Sequence, residues 1–163
     1  MCEGSPPNII PVTSALGQVK SAPNRLLLLV GPSGSGKTRL LMALEAAHGY
    51  PRVALGNPVA DELRAVPERR RPTKVRDVVA RLLDEAGSAE AVLVDNIEIL
   101  FLPALRTDPM ALFKDFSRNR TLCVAWPGVL EADGSLHYAE LGHPAYQLYR
   151  DHKVHAIRMP GTG

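Results

Sequence analysis

Eight consecutive residues, Gly31-Pro32-Ser33-Gly34-Ser35-Gly36-Lys37-Thr38, carry the most specific chemistry in this chain. Every position fits GxxxxGK[ST], a loop that grips phosphate. Glycines let the backbone wrap around phosphate oxygens without a Cβ in the way. The loop amides point inward, and the helix that follows adds partial positive charge at its first turn, where Arg39 also sits. Lys37 is expected to bridge the β- and γ-phosphates of a nucleoside triphosphate. The Thr38 hydroxyl is expected to ligate Mg²⁺. The plain alternative is an ordinary Gly/Ser turn, but an apolar strand before the loop and a helix after it argue against that.

A second signature supplies the other half of a metal site. Ala91-Val92-Leu93-Val94-Asp95 is an apolar run ending in one carboxylate. It looks like a Walker B strand, at whose carboxyl end ligands of open α/β sheets bind. Asp95 is expected to hold Mg²⁺ directly or through water; the plain alternative is a strand-ending Asp that caps a turn. Many P-loop ATPases of the AAA+ and RecA-like group place Glu next, to polarise the attacking water. This chain has Asn96 there, then Ile97 and Glu98. Either Glu98 takes the general-base role from the following turn, or hydrolysis is slow. Arg118, Arg120 and Arg150 are candidate arginine fingers, with a helix-end arginine as the plain reading of each. By analogy with AAA+ proteins, a finger at the end of the helix before the fifth strand favours Arg150. The tip of the fourth strand reads Ala125-Trp126-Pro127, with none of the polar residues expected of a sensor. Trp126 reads as packing.

These residues need a scaffold to hold them. Leu26 to Val30 is a continuous apolar run of the kind buried on both sheet faces. Lys37 to Ala47 reads as a helix, with Leu40, Leu41 and Leu44 on one side and Gly49 beyond its end. Val53 to Leu55 is a short strand. Asn57-Pro58 suggests a cap and a helix to Val66. A basic loop follows between Pro67 and Pro72, and Thr73 is expected to cap an amphipathic helix carrying Val75, Val78, Val79, Leu82 and Leu83. Asp108-Pro109 opens another helix. Thr121 to Trp126 is a fourth strand. Gly128 to Tyr138 is expected to be a hairpin around Asp133-Gly134, His143 to Arg150 a short helix, and Val154 to Met159 a last strand. Residues 1–8 read as disordered and Ile9 to Ser21 as a short helix across a sheet edge. The expected organisation is therefore a tail and helix over 1–24 and a P-loop domain over 25–163. The fold class is α/β: a mostly parallel five-stranded sheet in the order 5-1-4-3-2, with helices on both faces.

Composition narrows the class further. The chain has 163 residues, 45% of them apolar but only 5% aromatic, so aliphatic side chains must supply most of the core. The formal charge of +2 is too mild to argue for nucleic acid by itself. Arg69, Arg70 and Arg71 lie in a locally basic stretch that could touch DNA backbone or an acidic partner, though a solvated surface is the plainer reading. Cys2 and Cys123 form no metal or disulfide pattern, which points to a reducing compartment. The five histidines lack ligand spacing. No run approaches the roughly 20 apolar residues that span a bilayer, and the first residues do not read as a signal peptide. The expected location is the cytoplasm.

The strings GPSGSGKT, VLVDNIEILF, LFKDFSRNRT, VAWPG and YAELGHPAY together resemble the BrxF family, the small P-loop proteins of type 3 bacteriophage exclusion (BREX) systems. The resemblance runs from about Leu26 to Tyr149. The P-loop is shared too widely to pick out a family; DNIE followed by SRNRT and AWPG is the distinctive part. It implies a bacterial anti-phage component working beside other defence proteins. On Gly31, Gly36, Lys37, Thr38 and Asp95 it implies the roles given above. Three functions follow as expectations. The first is an assembling, AAA+-like ATPase that binds ATP and Mg²⁺, with ATP favoured because no NKxD-like guanine reader is present. The second is a small nucleotide or small-molecule kinase with Arg69 to Arg71 as a lid. The third is a non-catalytic module that uses nucleotide only as a switch.

Overall fold

The computed structural model describes residues 7–139 and 141–159, so the disordered tail expected over 1–8 lies mostly outside the described residues. The chain is α/β. Five strands form one sheet: β1 (Leu26–Gly31), β2 (Arg52–Ala54), β3 (Val92–Asp95), β4 (Leu122–Pro127) and β8 (His155–Arg158), in the order β2-β3-β4-β1-β8. All four pairings are parallel. The central strands are buried on both faces, which explains their unbroken apolar runs.

Side chains alternate between two cores, as the strand pleat requires. Leu27, Leu29, Leu93, Cys123 and Ala125 pack beneath α1 (Ile10–Val19) and α2 (Lys37–His48). Leu26, Leu28, Val30, Val92, Val94, Leu122, Val124 and Trp126 face the other way. They meet α3 (Gly56–Arg64), α4 (Arg71–Glu85) and α5 (Pro109–Phe116). Val12, Ala15 and Leu16 of α1 are buried in the same core as Leu27 and Leu29 of β1, so α1 packs on the sheet across the boundary expected near residue 24.

Several local expectations change. The helix expected from Pro58 starts at Gly56, so Asn57 lies inside its first turn and caps nothing. Thr73 likewise falls inside α4. A 3₁₀ turn over Glu68–Arg70 leads directly into that helix at Arg71, and the basic loop is therefore helical. No helix spans His143 to Arg150. That stretch is a turn, in which the Ala145 amide donates to His143 Nδ1 at 3.0 Å, followed by strand β7 (Gln147–Tyr149). Strand β7 joins β5 (Val129–Leu130) and β6 (Leu136–Tyr138) in a small antiparallel sheet between β4 and β8. Its β5–β6 hairpin turns at Asp133-Gly134 as expected, with Asp133 Oδ1 accepting from the Ser135 amide at 2.9 Å and the Ser135 hydroxyl at 2.7 Å.

An aromatic cluster joins the two sheets. Trp126 is fully buried and meets Phe101 edge-on, with centroids 5.3 Å apart, and Tyr149 at 5.8 Å. Phe101 also stacks on Tyr138 at 4.0 Å. Trp126 is packing, as its sequence context suggested.

Candidate functional site

Strand β1 delivers the chain to the carboxyl edge of the sheet, and the glycine-rich loop turns it into α2. Gly34 and Gly36 adopt φ values of 83° and 95°, a region that costs little without a Cβ. Gly31 is crowded: a Cβ there would lie 2.4 Å from Ser35 Oγ. Ser35 Oγ is itself buried, with no hydrogen-bond partner among the described residues.

Lys37, the first residue of α2, curls back along the loop. Its Nζ donates to the carbonyls of Gly31 at 2.5 Å and Pro32 at 2.9 Å. The side chain is buried. Burial lowers its pKa below the usual lysine range, while the charges of Glu98 and, to a lesser extent, Asp95 pull it back up. The ammonium is thus held at the mouth of the loop by carbonyl dipoles, which an anion could displace.

Asp95 ends β3, two strands away from β1 across β4. The Thr38 hydroxyl nevertheless donates to Asp95 Oδ2 at 2.8 Å. The Asn96 amide donates to Oδ1 at 2.9 Å. Asp95 is buried, so an ionised carboxylate there needs partners. Among the described residues no group of three or more His, Cys, Asp or Glu could hold a metal. A hydroxyl beside one carboxylate is instead the donor set that fits Mg²⁺, which keeps several waters and takes other oxygens from substrate phosphates.

Glu98 opens the 3₁₀ turn Glu98–Phe101, exposed on the rim of the cleft. Asn96 is also exposed and adopts a left-handed φ of 56°. One cleft of about 450 Å³ gathers Lys37, Thr38, Arg39, Asp95, Asn96 and Glu98, with Ser33, Gly34, Gly36 and Ala125 in its walls. Gly31 and Pro32 contribute carbonyls to Lys37 from behind. Ala125 brings no polar side chain to the cleft wall at the tip of β4, where a sensor residue is expected.

The arginine candidates lie elsewhere. Arg120 is held at the amino end of β4, donating to the Leu83 carbonyl at 2.6 Å and to Asp84 at 2.7 Å. Arg118, near the same end, pairs with Asp115 at 3.7 Å. Arg150 follows β7 and acts electrostatically on Asp133, lowering its pKa as a minor contribution behind the Ser135 hydrogen bonds. The helix expected to end at Arg150 is absent, because a turn and strand β7 take its place.

One arginine that the sequence did not flag does reach the site. Arg52, on β2, brings Nη1 to 3.9 Å from Asp95 Oδ2, and its Nε donates to Glu45 Oε1 of α2 at 3.3 Å. A lone Arg opening a three-residue strand gives no motif. Only the pairing of β2 beside β3, with Ala54 opposite Asp95, brings it there.

On the other side of the loop, a mostly apolar cavity of about 460 Å³ is lined by Pro11, Val12, Leu40 and Met159, and shares Gly36 and Arg39 with the cleft. No protein-family model matches this chain and no curated protein matches its sequence, so the site is known by its own geometry.

Proposed function

We propose that this protein binds ATP with Mg²⁺ as an AAA+-like P-loop ATPase, and acts in bacterial anti-phage defence as a self-assembling cytoplasmic subunit. The observation that carries the proposal is the 2.8 Å hydrogen bond between Thr38 and Asp95, which come together from opposite ends of the motif pair. A P-loop metal site requires that meeting, and an incidental Gly/Ser turn does not. Lys37 in the loop mouth supports the same reading. So does the strand order, which is the one a P-loop ATPase sheet calls for. The cavity beside Leu40 and Met159 has the size and apolar lining to take a nucleobase, with phosphates running through Gly36 into the cleft.

Hydrolysis in this reading is slow or partner-stimulated. Asn96 occupies the position next to Asp95 where a Glu would polarise water, and Ala125 offers no sensor. Glu98 is the carboxylate on the cleft rim that could serve as base. These same features favour a second reading, a module that binds nucleotide as a switch without turning it over. The role in phage defence rests on the resemblance of the residue strings GPSGSGKT, VLVDNIEILF, LFKDFSRNRT, VAWPG and YAELGHPAY to the BrxF family. When bound, Mg²⁺ would neutralise charge on the triphosphate.

Calorimetric titration with ATP–Mg²⁺ tests the site. The wild-type protein is expected to bind, and Lys37→Ala to lose binding while keeping its circular dichroism spectrum. Equal affinity in the two proteins would remove the phosphate-binding assignment.

A further inference from the structure

Asp95 sits almost out of solvent, its side chain 5% exposed. Burying a carboxylate without compensating charge is costly, and the Thr38 hydroxyl and Asn96 amide are neutral donors. Arg52, 27% exposed, brings a cation beside it, with Nη1 at 3.9 Å from Oδ2, and the Lys37 ammonium interacts with the same carboxylate by charge. Oδ2 is the same oxygen that accepts from Thr38. At this distance the guanidinium acts by charge rather than through a fixed hydrogen bond. Its fixed contact is on the other side, where Glu45 accepts from Nε at 3.3 Å. Arg52 is therefore braced from α2 beside the carboxylate, not locked to it.

We propose that Arg52 is a positioning residue that stands in for the metal: it neutralises Asp95 in the nucleotide-free protein and keeps a divalent cation from binding there alone. The inference rests on the ATP–Mg²⁺ reading of the site and goes beyond it. A cation brought to Thr38 and Asp95 meets a positive charge already at the carboxylate, so the pair alone binds it poorly. Triphosphate oxygens supply the negative charge that outweighs the guanidinium, and metal arrives with nucleotide. Glu45 keeps Arg52 partnered once the metal takes over the carboxylate. The cleft is thus kept free of stray divalent ions that would otherwise hold Asp95 before the nucleotide comes.

Mn²⁺ titration of the nucleotide-free protein, followed by loss of the free-ion electron paramagnetic resonance signal, tests this. Arg52→Gln is expected to bind Mn²⁺ at least about tenfold more tightly than the wild type, the scale of removing one nearby unit charge. Arg52→Lys keeps the charge and is expected to stay near wild type. Should Arg52→Gln fail to fold, Arg52→Met, which keeps the aliphatic stem, takes its place. Equal or weaker Mn²⁺ binding in the neutral variant overturns the role of Arg52. Adding Asp95→Asn to the neutral variant is expected to abolish the gain. Were the gain to survive that change, the ion would not be at Asp95 and the role of Arg52 would be overturned, while the ATP–Mg²⁺ reading would still stand or fall on the Lys37→Ala titration.

Discussion

Lys37 is buried, and its Nζ donates to the main-chain carbonyls of Gly31 and Pro32. Burial, the larger effect, depresses its pKa; Glu98 and then Asp95 oppose that. Phosphate binding needs the protonated form. If the loop binds ATP as proposed, affinity is expected to be full below the depressed value and to be lost as pH rises through it, earlier than an ordinary lysine would allow. Binding isotherms at rising pH would show the fall, and Lys37→Arg, which stays charged, should remove it. An unchanged profile in the arginine variant would assign the pH dependence to another group. Glu98 is tested by rate rather than affinity. If it is the base, Glu98→Gln should slow phosphate release by about a hundredfold with ATP binding retained. Equal rates would favour the switch reading.

A few side-chain contacts of measurable weight tie the elements to one another. Asp108 caps α5, accepting from the Met110 amide at 3.0 Å and the Ala111 amide at 3.3 Å, and the Tyr149 hydroxyl of β7 donates to the same oxygen at 3.3 Å. Asp108→Ala should cost about 1–2 kcal/mol in chemical denaturation through the lost cap. Tyr149→Phe should cost less, since the cap survives. Cys123 belongs to the core beneath α1 and α2, where burial pushes its thiol up to about 12. Thiol reagents should label it only when the fold is opened by denaturant. At this scale the sequence was readable where burial is two-sided. Leu26 to Val30 and Ala91 to Val94 leave no choice but inner strands, and the loop between strand and helix follows from its glycines. It was unreadable where elements are short. Gln147–Tyr149 is too brief to show alternation, and His143-Pro144 imitates a helix start while making a turn. Asn57 and Thr73 look like caps but lie within helices whose starts are set by the preceding chain. Arg52 escaped because its partner is chosen by strand order, which no local pattern encodes.

For the molecule as a whole, the departure from expectation is strand β7, which joins the expected β5–β6 hairpin where a helix ending in Arg150 was expected. None of Arg118, Arg120 and Arg150 is among the described residues of this chain that line the cleft. If charge from an arginine is needed for turnover, a neighbouring copy or a partner must bring it. Light scattering with and without ATP–Mg²⁺ is expected to show a nucleotide-dependent rise in mass. Phosphate release should then climb with protein concentration. A constant monomer mass with undiminished turnover would discard the assembling subunit. No helix among the described residues is long and apolar enough to cross a membrane.

The chain contains one tryptophan, and it is sealed between Phe101, which closes the turn begun by Glu98, and Tyr149 of the small sheet. All indole emission therefore comes from one buried spot beneath the rim of the candidate cleft. Any shift of that turn when nucleotide enters changes the rings around it. The ultraviolet fluorescence of the unlabelled protein can follow the event in real time.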